Sequence, residues 1–299
     1  MESRENSVFG RKVFFINPSI RIQNQIIAPL KKDEYEIYTI SDYRDGKPIL
    51  SQNEDAICYI NIDEQLSYKQ WFNYIHSFKN DSTLNKIIIG AISKNSKPQD
   101  REQYILKLNL PAGFINLNDS SVMAHGQVEK ILELNGAKGR RKYVRLDCYG
   151  IENVKASCVI SNRLVTLVLD DLSSVGFAAR CPSNFAKFFQ KGGVYGLTLH
   201  LGPKDYVVTG IIYAIKENET DTTFVFMLAP KTSYEIKDEM RSFIFKELQK
   251  KMDSLLDSQI KDDTDYSKEI TVKNDAATTP ESENFQEIAD VEPENPQQA

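Results

Sequence analysis

The pattern of apolar and polar positions divides the chain into two unlike halves. Through residues 11–135, short, nearly continuous apolar runs alternate with longer amphipathic stretches. The runs predict strands at Val13–Ile16, Tyr35–Ile40, Ala56–Ile60, Lys86–Gly90 and Ala112–Asn116. Strands apolar at nearly every position are buried on both faces. Apolar spacings of three and four predict helices over 19–32, 66–79, 98–108 and 119–135, while 41–55 follows neither period. Strand then helix, repeated, means βα units on a parallel sheet, here a three-layer flavodoxin-like sandwich over 1–135.

After residue 145 the runs shorten and alternate. Strands are predicted at Arg145–Tyr149, Ala156–Ile160, Leu164–Leu169, Gly176–Ala179, Val194–Leu201, Tyr206–Ala214 and Thr223–Leu228. Turns fall at Ser161-Asn162, Gly192-Gly193, Gly202-Pro203 and 217–219. Short strands with a turn every few residues predict a small antiparallel barrel over 146–232. A helix follows over 233–256, with one apolar stripe through Ile236, Met240, Phe243, Ile244, Leu248, Met252 and Leu255. The stripe has two uses open to it, packing on the barrel or pairing with a second copy as a homodimer.

Charge changes the picture at two places. The chain of 299 residues carries a net −5, but 257–299 holds twelve Asp or Glu against three Lys, so the remainder is mildly basic at +4. The acidic, Pro-punctuated stretch from 257 is expected to be a disordered tail, either recruiting a basic partner or serving as a solubilising extension. The second place is 136–145, Gly136-Ala-Lys-Gly-Arg-Arg-Lys-Tyr-Val-Arg145, a basic stretch expected to end the preceding helix and act as a hinge between domains. A balance of +4 suits a phosphate-bearing ligand and falls short of the strongly basic face expected of a nucleic-acid binder.

Other classes of chemistry find little support in the sequence. Cys58, Cys148, Cys158 and Cys181 have no CxxC spacing, and His76, His125 and His200 are scattered, so no metal site is expected. No apolar run approaches the ~20 residues of a membrane helix, and the polar start of the chain does not read as a signal peptide. Reduced thiols and these absences lead to the expectation of a cytoplasmic protein. No nucleophile–base pair, P-loop or metal-ligand cluster is visible, so no enzymatic activity is expected.

Two short motifs remain. The first is Arg141-Lys-Tyr-Val-Arg145, preceded by Arg140; the second is Asp171-Leu-Ser173-Ser-Val-Gly176, placed after the β-branched run Val165–Leu169. Arginine forks can bind phosphate oxygens or the acceptor edge of guanine, and can stack on a base. An acid and a hydroxyl can complete the contacts to a guanine, and a glycine lets backbone come close. Each motif has a bland alternative. The arginines are also what a solvated linker would carry, and Asp171-Leu-Ser173 is also an Asx-turn.

Arg141 to Arg145 as RxxxR, followed by Asp171 to Gly176 as DxSxxG on a predicted barrel, resembles the PilZ domain family over about 140–230. The resemblance implies binding of cyclic di-GMP by Arg141, Arg145, Asp171, Ser173 and Gly176, with Arg140 an auxiliary contact. It also places Tyr213 near where a ring stacks on the bound base; the alternative for Tyr213 is an ordinary strand aromatic. It implies a non-enzymatic bacterial effector controlling an unidentified protein partner, with motility, adhesion and envelope processes as the expected settings. The rival implied by the same family is a protein-interaction adaptor that binds no nucleotide.

The first half resembles a response-regulator receiver domain. A working receiver needs two acids after the first strand, a phosphoryl-accepting Asp after the third, Ser or Thr after the fourth and Lys after the fifth. Here the first strand ends in Asn17-Pro-Ser and the fifth in Asn116-Leu-Asn118, while Ser93 fits the fourth and Asp63 is the candidate acceptor. Without the acidic pair a magnesium ion would lack hard oxygen ligands. A pseudo-receiver is therefore expected, with Asp63 otherwise a loop acid or the N-cap of 66–79. A phosphorylation-driven regulator is the third functional alternative.

Overall fold

The computed structural model describes residues 10–181, 183–217 and 221–268. Five parallel strands lie in the order β2-β1-β3-β4-β5: β1 (Val13–Ile16), β2 (Ile37–Ile40), β3 (Ile57–Asn61), β4 (Ile88–Ser93) and β5 (Phe114–Asn116). That order is the doubly wound, receiver-like arrangement. Helices cover both faces. The first, α1, runs as Ile20–Ile22, a π-helical Gln23–Ile27 and Ala28–Lys32. The others are α2 (Gly46–Leu50), α3 (Tyr68–Ser77), α4 (Pro98–Leu108) and α5 (Ser121–Leu134). The unpatterned 41–55 holds α2 and the 3-10 turn Tyr43–Asp45. One apolar cluster, with Phe14, Cys58, Trp71 and Tyr74, fills one side of the sheet, and another, with Val13, Phe15, Ile26 and Val128, fills the other.

The second half is a barrel. Strands β7 (Val154–Ile160), β8 (Arg163–Ser173), β9 (Gly176–Cys181), β10 (Val194–Leu201), β11 (Lys204–Glu217) and β12 (Thr222–Leu228) pair in the order β8-β7-β10-β11-β12-β9, and β9 returns to β8 to close it. Closure leaves no free edge. A short helix, α6 (Ser183–Ala186), follows β9. The strand β6 (Arg145–Asp147) lies outside the closed ring and pairs with the end of β8, Arg145 opposite Ser173 and Asp147 opposite Asp171. One long strand therefore serves two neighbours, β7 along Arg163–Val168 and β6 along Asp171–Ser173. The register of β8 against β9 shifts between Leu169 and Asp171, a bulge at the changeover.

The last helix, α7 (Tyr234–Leu256), joins the halves. Its Met240, Ile244 and Phe245 belong to the barrel core, while Met252 belongs to the core around Trp71. Gln249 reaches the edge strand β2, accepting from Thr39 N at 2.9 Å and donating to Thr39 O at 2.9 Å, so one side-chain amide covers the edge as a neighbouring strand would. The apolar stripe is thus largely covered within the chain, a use that leaves little of it for a homodimer through 234–256.

The sequence placed a disordered tail from 257 onward, and here the structure differs. Residues through Ser267 form a strap on the first half, anchored by Tyr266, which is buried against Tyr74 with ring centroids 5.2 Å apart. Asn73 Nδ2 donates to Tyr266 O at 2.8 Å, and Asp262 N donates to Arg44 O at 2.9 Å. The acidic stretch over 269–299 lies outside the described residues.

Candidate functional site

Helix α5 ends in a Schellman turn: Ala137 N bonds Leu132 O at 2.9 Å and Gly136 N bonds Glu133 O at 3.2 Å, with Gly136 at φ +68°. The basic segment after it is tied down at both ends. Gly136 O accepts from Arg11 N at 3.2 Å, and Val144 is buried in the barrel core. Arg145, expected both to end the basic linker and to open a strand over Arg145–Tyr149, opens β6 and is fixed by strand pairing. The second motif likewise is not wholly a turn. Asp171 to Ser173 end β8, and only Ser174 and Val175 separate them from β9.

These pairings bring the two motifs together. A cavity of about 310 Å³ is lined by Arg140, Arg141, Lys142, Tyr143 and Arg145 on one side and by Asp171, Ser173, Val175, Gly176 and Phe177 on the other, with Val225, Phe226 and Met227 of β12 completing it. Four cationic residues face one carboxylate, and apolar side chains provide a surface against which a flat ring can lie. The arrangement can bind an anionic, base-bearing ligand. A second cavity of about 200 Å³ lies across the same strand. It shares Arg141, Tyr143, Arg145 and Asp171 but adds Glu34 and Glu36 from the first half.

Within the site the side chains have resting partners. Arg145 Nη1 lies 3.4 Å from Asp171 Oδ2, and both are partly exposed. A pair that open contributes about 0–1 kcal/mol and is readily exchanged for a ligand phosphate. Ser173 is buried and its Oγ donates to Gly176 O at 2.9 Å. Its proton is therefore committed to the turn, and the oxygen remains an acceptor.

Two expected roles change. Gly176 does not adopt a left-handed φ; a Cβ there would collide with the Phe226 carbonyl oxygen, so the close approach of β12 by itself demands a glycine at this position of the cavity wall. Tyr213 is not among the residues lining the cavity. It is 69% exposed and occupies a bulge in β11, where Ile212 pairs with Phe226 and Ala214 with Val225. His200 bonds Ser157 Oγ at 2.9 Å and Asp205 Oδ1 at 2.7 Å.

The sequence missed Glu34, Glu36, Ser174 and Arg241. Glu34 Oε1 accepts from Ser174 Oγ at 2.7 Å and from Arg241 Nε at 3.0 Å, and its Oε2 accepts from Val144 N at 3.1 Å. No signal along the chain marks these residues, because the bonded pairs are separated by 110 to 207 positions.

The receiver-like end of the parallel sheet is also occupied. Asn61 ends β3, the place of a phosphoryl acceptor, and bonds Asn17 reciprocally: Asn61 Nδ2 donates to Asn17 O at 2.8 Å and Asn17 Nδ2 to Asn61 O at 3.3 Å. Asp63 lies two residues further on. It accepts from Ser93 Oγ at 2.5 Å, Tyr68 OH at 3.0 Å, Lys94 N at 2.7 Å and Asn95 N at 3.2 Å. It is thus a loop acid bracing the β4 end, and the N-cap of α3 is Ser67. Among the described residues no group of three or more His, Cys, Asp or Glu is placed to hold a metal ion, and no helix is long and apolar enough to cross a membrane.

No protein-family profile and no curated protein sequence matches the chain. Among solved structures, it is similar to the PilZ domain of YcgR from Escherichia coli with c-di-GMP, at 19% identity and a TM-score of 0.34, over 38% of this chain and 98% of that one. It is similar to the Bacillus subtilis inhibitor of motility MotI/DgrA at 15% identity and a TM-score of 0.32, over 38% of this chain and 54% of that one, about half its length. A response regulator from Desulfuromonas acetoxidans is similar at 13% identity and a TM-score of 0.34, over 42% of this chain and 98% of that one.

Proposed function

We propose that the chain is a cyclic di-GMP-binding effector with a pseudo-receiver domain, acting by binding and without a chemical step. The observation that carries the reading is the single cavity in which Arg140, Arg141 and Arg145 face Asp171, Ser173 and Gly176. Arg141 and Arg145 place forked donors on guanine O6 and N7 or on phosphate oxygens. Asp171 accepts from guanine N1 and N2 once Arg145 turns to the ligand, and the Ser173 oxygen accepts a further base N–H. The wall of Val175, Val225 and Met227 shelters the base. Tyr213 has no part in this arrangement.

Ligand contacts to Arg140, Arg141 and Arg145 add to the ties that already hold 138–145 and the pseudo-receiver to the barrel, and so shift the balance of domain arrangements towards the one that meets a protein partner. The ligand moves this equilibrium only as far as its affinities for the two arrangements differ. Phosphorylation has no place in the reading, since an amide stands where the acceptor carboxylate would be.

Titration calorimetry with cyclic di-GMP tests the reading. Loss of a charge-assisted, bidentate contact costs about 1.5–3 kcal/mol, so Arg141→Ala and Arg145→Ala are each expected to weaken binding roughly 10- to 100-fold. Wild-type protein that releases no heat and shows no competition would leave the adaptor alternative in its place.

A further inference from the structure

The structure assigns Glu34, on the pseudo-receiver, as the positioning residue that joins both halves of the cyclic di-GMP site and ties them to that domain. The inference rests on the binding site proposed above and adds to it a residue that belongs to neither motif. Glu34 lies between α1 and β2, and three groups from three other parts of the chain converge on its carboxylate. Val144 immediately precedes Arg145 of the first motif. Ser174 immediately follows Ser173 within the second. Arg241 comes from α7. Each motif thus has one residue held by the same carboxylate.

The contact is built rather than incidental. The Glu34 side chain is 8% exposed and that of Arg241 14% exposed. Glu34 sits at φ +62°, a left-handed conformation that costs a non-glycine residue free energy and persists only when its surroundings enforce it. Arg241 also bonds Asp238 Oδ1 at 2.8 Å, which fixes the guanidinium. A buried carboxylate is stable in this position only while its hydrogen bonds and cationic partner are in place. The pseudo-receiver cannot swing away from the barrel without abandoning all three.

The consequence for binding is preorganisation. With Glu34 in place, the strand bearing Arg145 and the turn bearing Ser173 are held in one relative position, so the ligand meets a formed site. Without it, only a fraction of molecules present that site, and apparent affinity falls by the same fraction.

The test measures cyclic di-GMP affinity together with the distance between spin labels on introduced cysteines, Lys130→Cys on α5 and Lys216→Cys on β11. Expected for Glu34→Ala is roughly 10-fold weaker binding and a broadened ligand-free distance distribution. Ser174→Ala is expected to move both in the same direction by less, and the double variant to fall short of the sum because the two share one bond. Ser174→Ala carries the test if Glu34→Ala does not fold. Variants that bind as wild type with an unchanged distance distribution would overturn the assignment while leaving the binding site standing. Wild type that binds no cyclic di-GMP would overturn both.

Discussion

At Gly176 the chain leaves no room for a side chain, and the reason lies 50 residues away in β12, paired with β9 so that Met227 is opposite Gly176. Gly176→Ala would drive a methyl group into the Phe226 carbonyl. Overpacking of this kind costs about 1–3 kcal/mol, and in a protein of this size roughly 2–4 °C in Tm for each kcal/mol. A thermal melt is expected to show that loss, and a melt equal to wild type would contradict the account. The motif residues were legible in the sequence because their spacing is local, yet what each does was only half legible. The spacing suggests that Gly176 serves the turn or the ligand, and the structure adds a demand from a neighbouring strand that no local pattern shows. Resemblance places Tyr213 at the site, while the structure puts it at a β11 bulge, outside the residues that line the cavity. Glu34 had no motif to announce it, since its role exists only where residues from distant parts of the chain meet.

Among the elements, strands and long helices with a strong period were legible nearly to the residue: α4, β10 and α7 fall where the apolar pattern put them. Segments organised by polar contacts were not. The 41–55 stretch and the strap over 257–267 both read as irregular, and each orders the other. Lys261 Nζ bonds Asp42 at 3.0 Å and Asp45 at 3.1 Å, and Lys47 Nζ lies 3.3 Å from Asp262. The Arg44 side chain, aided by backbone and Lys261 bonds, holds the Asp42 carboxyl well below the usual carboxylate range despite some burial. Burial works against ionisation of Asp262, but hydrogen bonds from Thr264 and Tyr266 and the Lys47 charge outweigh it and also lower its pKa. A depressed carboxylate pKa contributes stability that is complete above the unfolded value, near 4, and is lost as pH falls through the folded one. The strap is therefore expected to loosen below about pH 4 while the sheet beneath persists. In a pH titration by NMR, amide signals of 261–267 should shift towards unstructured values before those of β1 and β3. Simultaneous loss of both sets would show that the strap has no titration of its own.

For the molecule as a whole, the question is whether occupancy of a site on the barrel is felt in the parallel-sheet half. Besides the connecting segment 136–145, the Glu34 junction and α7 cross between them, and Met240 and Met252 of α7 are buried in different cores. The chain provides a reporter, because its single tryptophan, Trp71, is fully buried in a core of the parallel-sheet half and lines neither cavity at the arginines. A ligand at about 100 times its Kd stabilises the form it binds by about 2.7 kcal/mol, which corresponds to roughly 5–10 °C at the sensitivity expected for this size. If the halves unfold as one cooperative unit, that shift will appear in Trp71 fluorescence as fully as in the far-UV signal of the barrel. If they are separable, the Trp71 transition will stay where it was while the barrel's moves, and the two probes will part in the presence of cyclic di-GMP. The convergence of Val144, Ser174 and Arg241 on one carboxylate favours the cooperative outcome. Glu34→Ala is then the change that should separate the two transitions, since it removes the carboxylate on which both motifs and α7 converge and leaves the remaining α7 contacts and the segment 136–145 to carry the coupling.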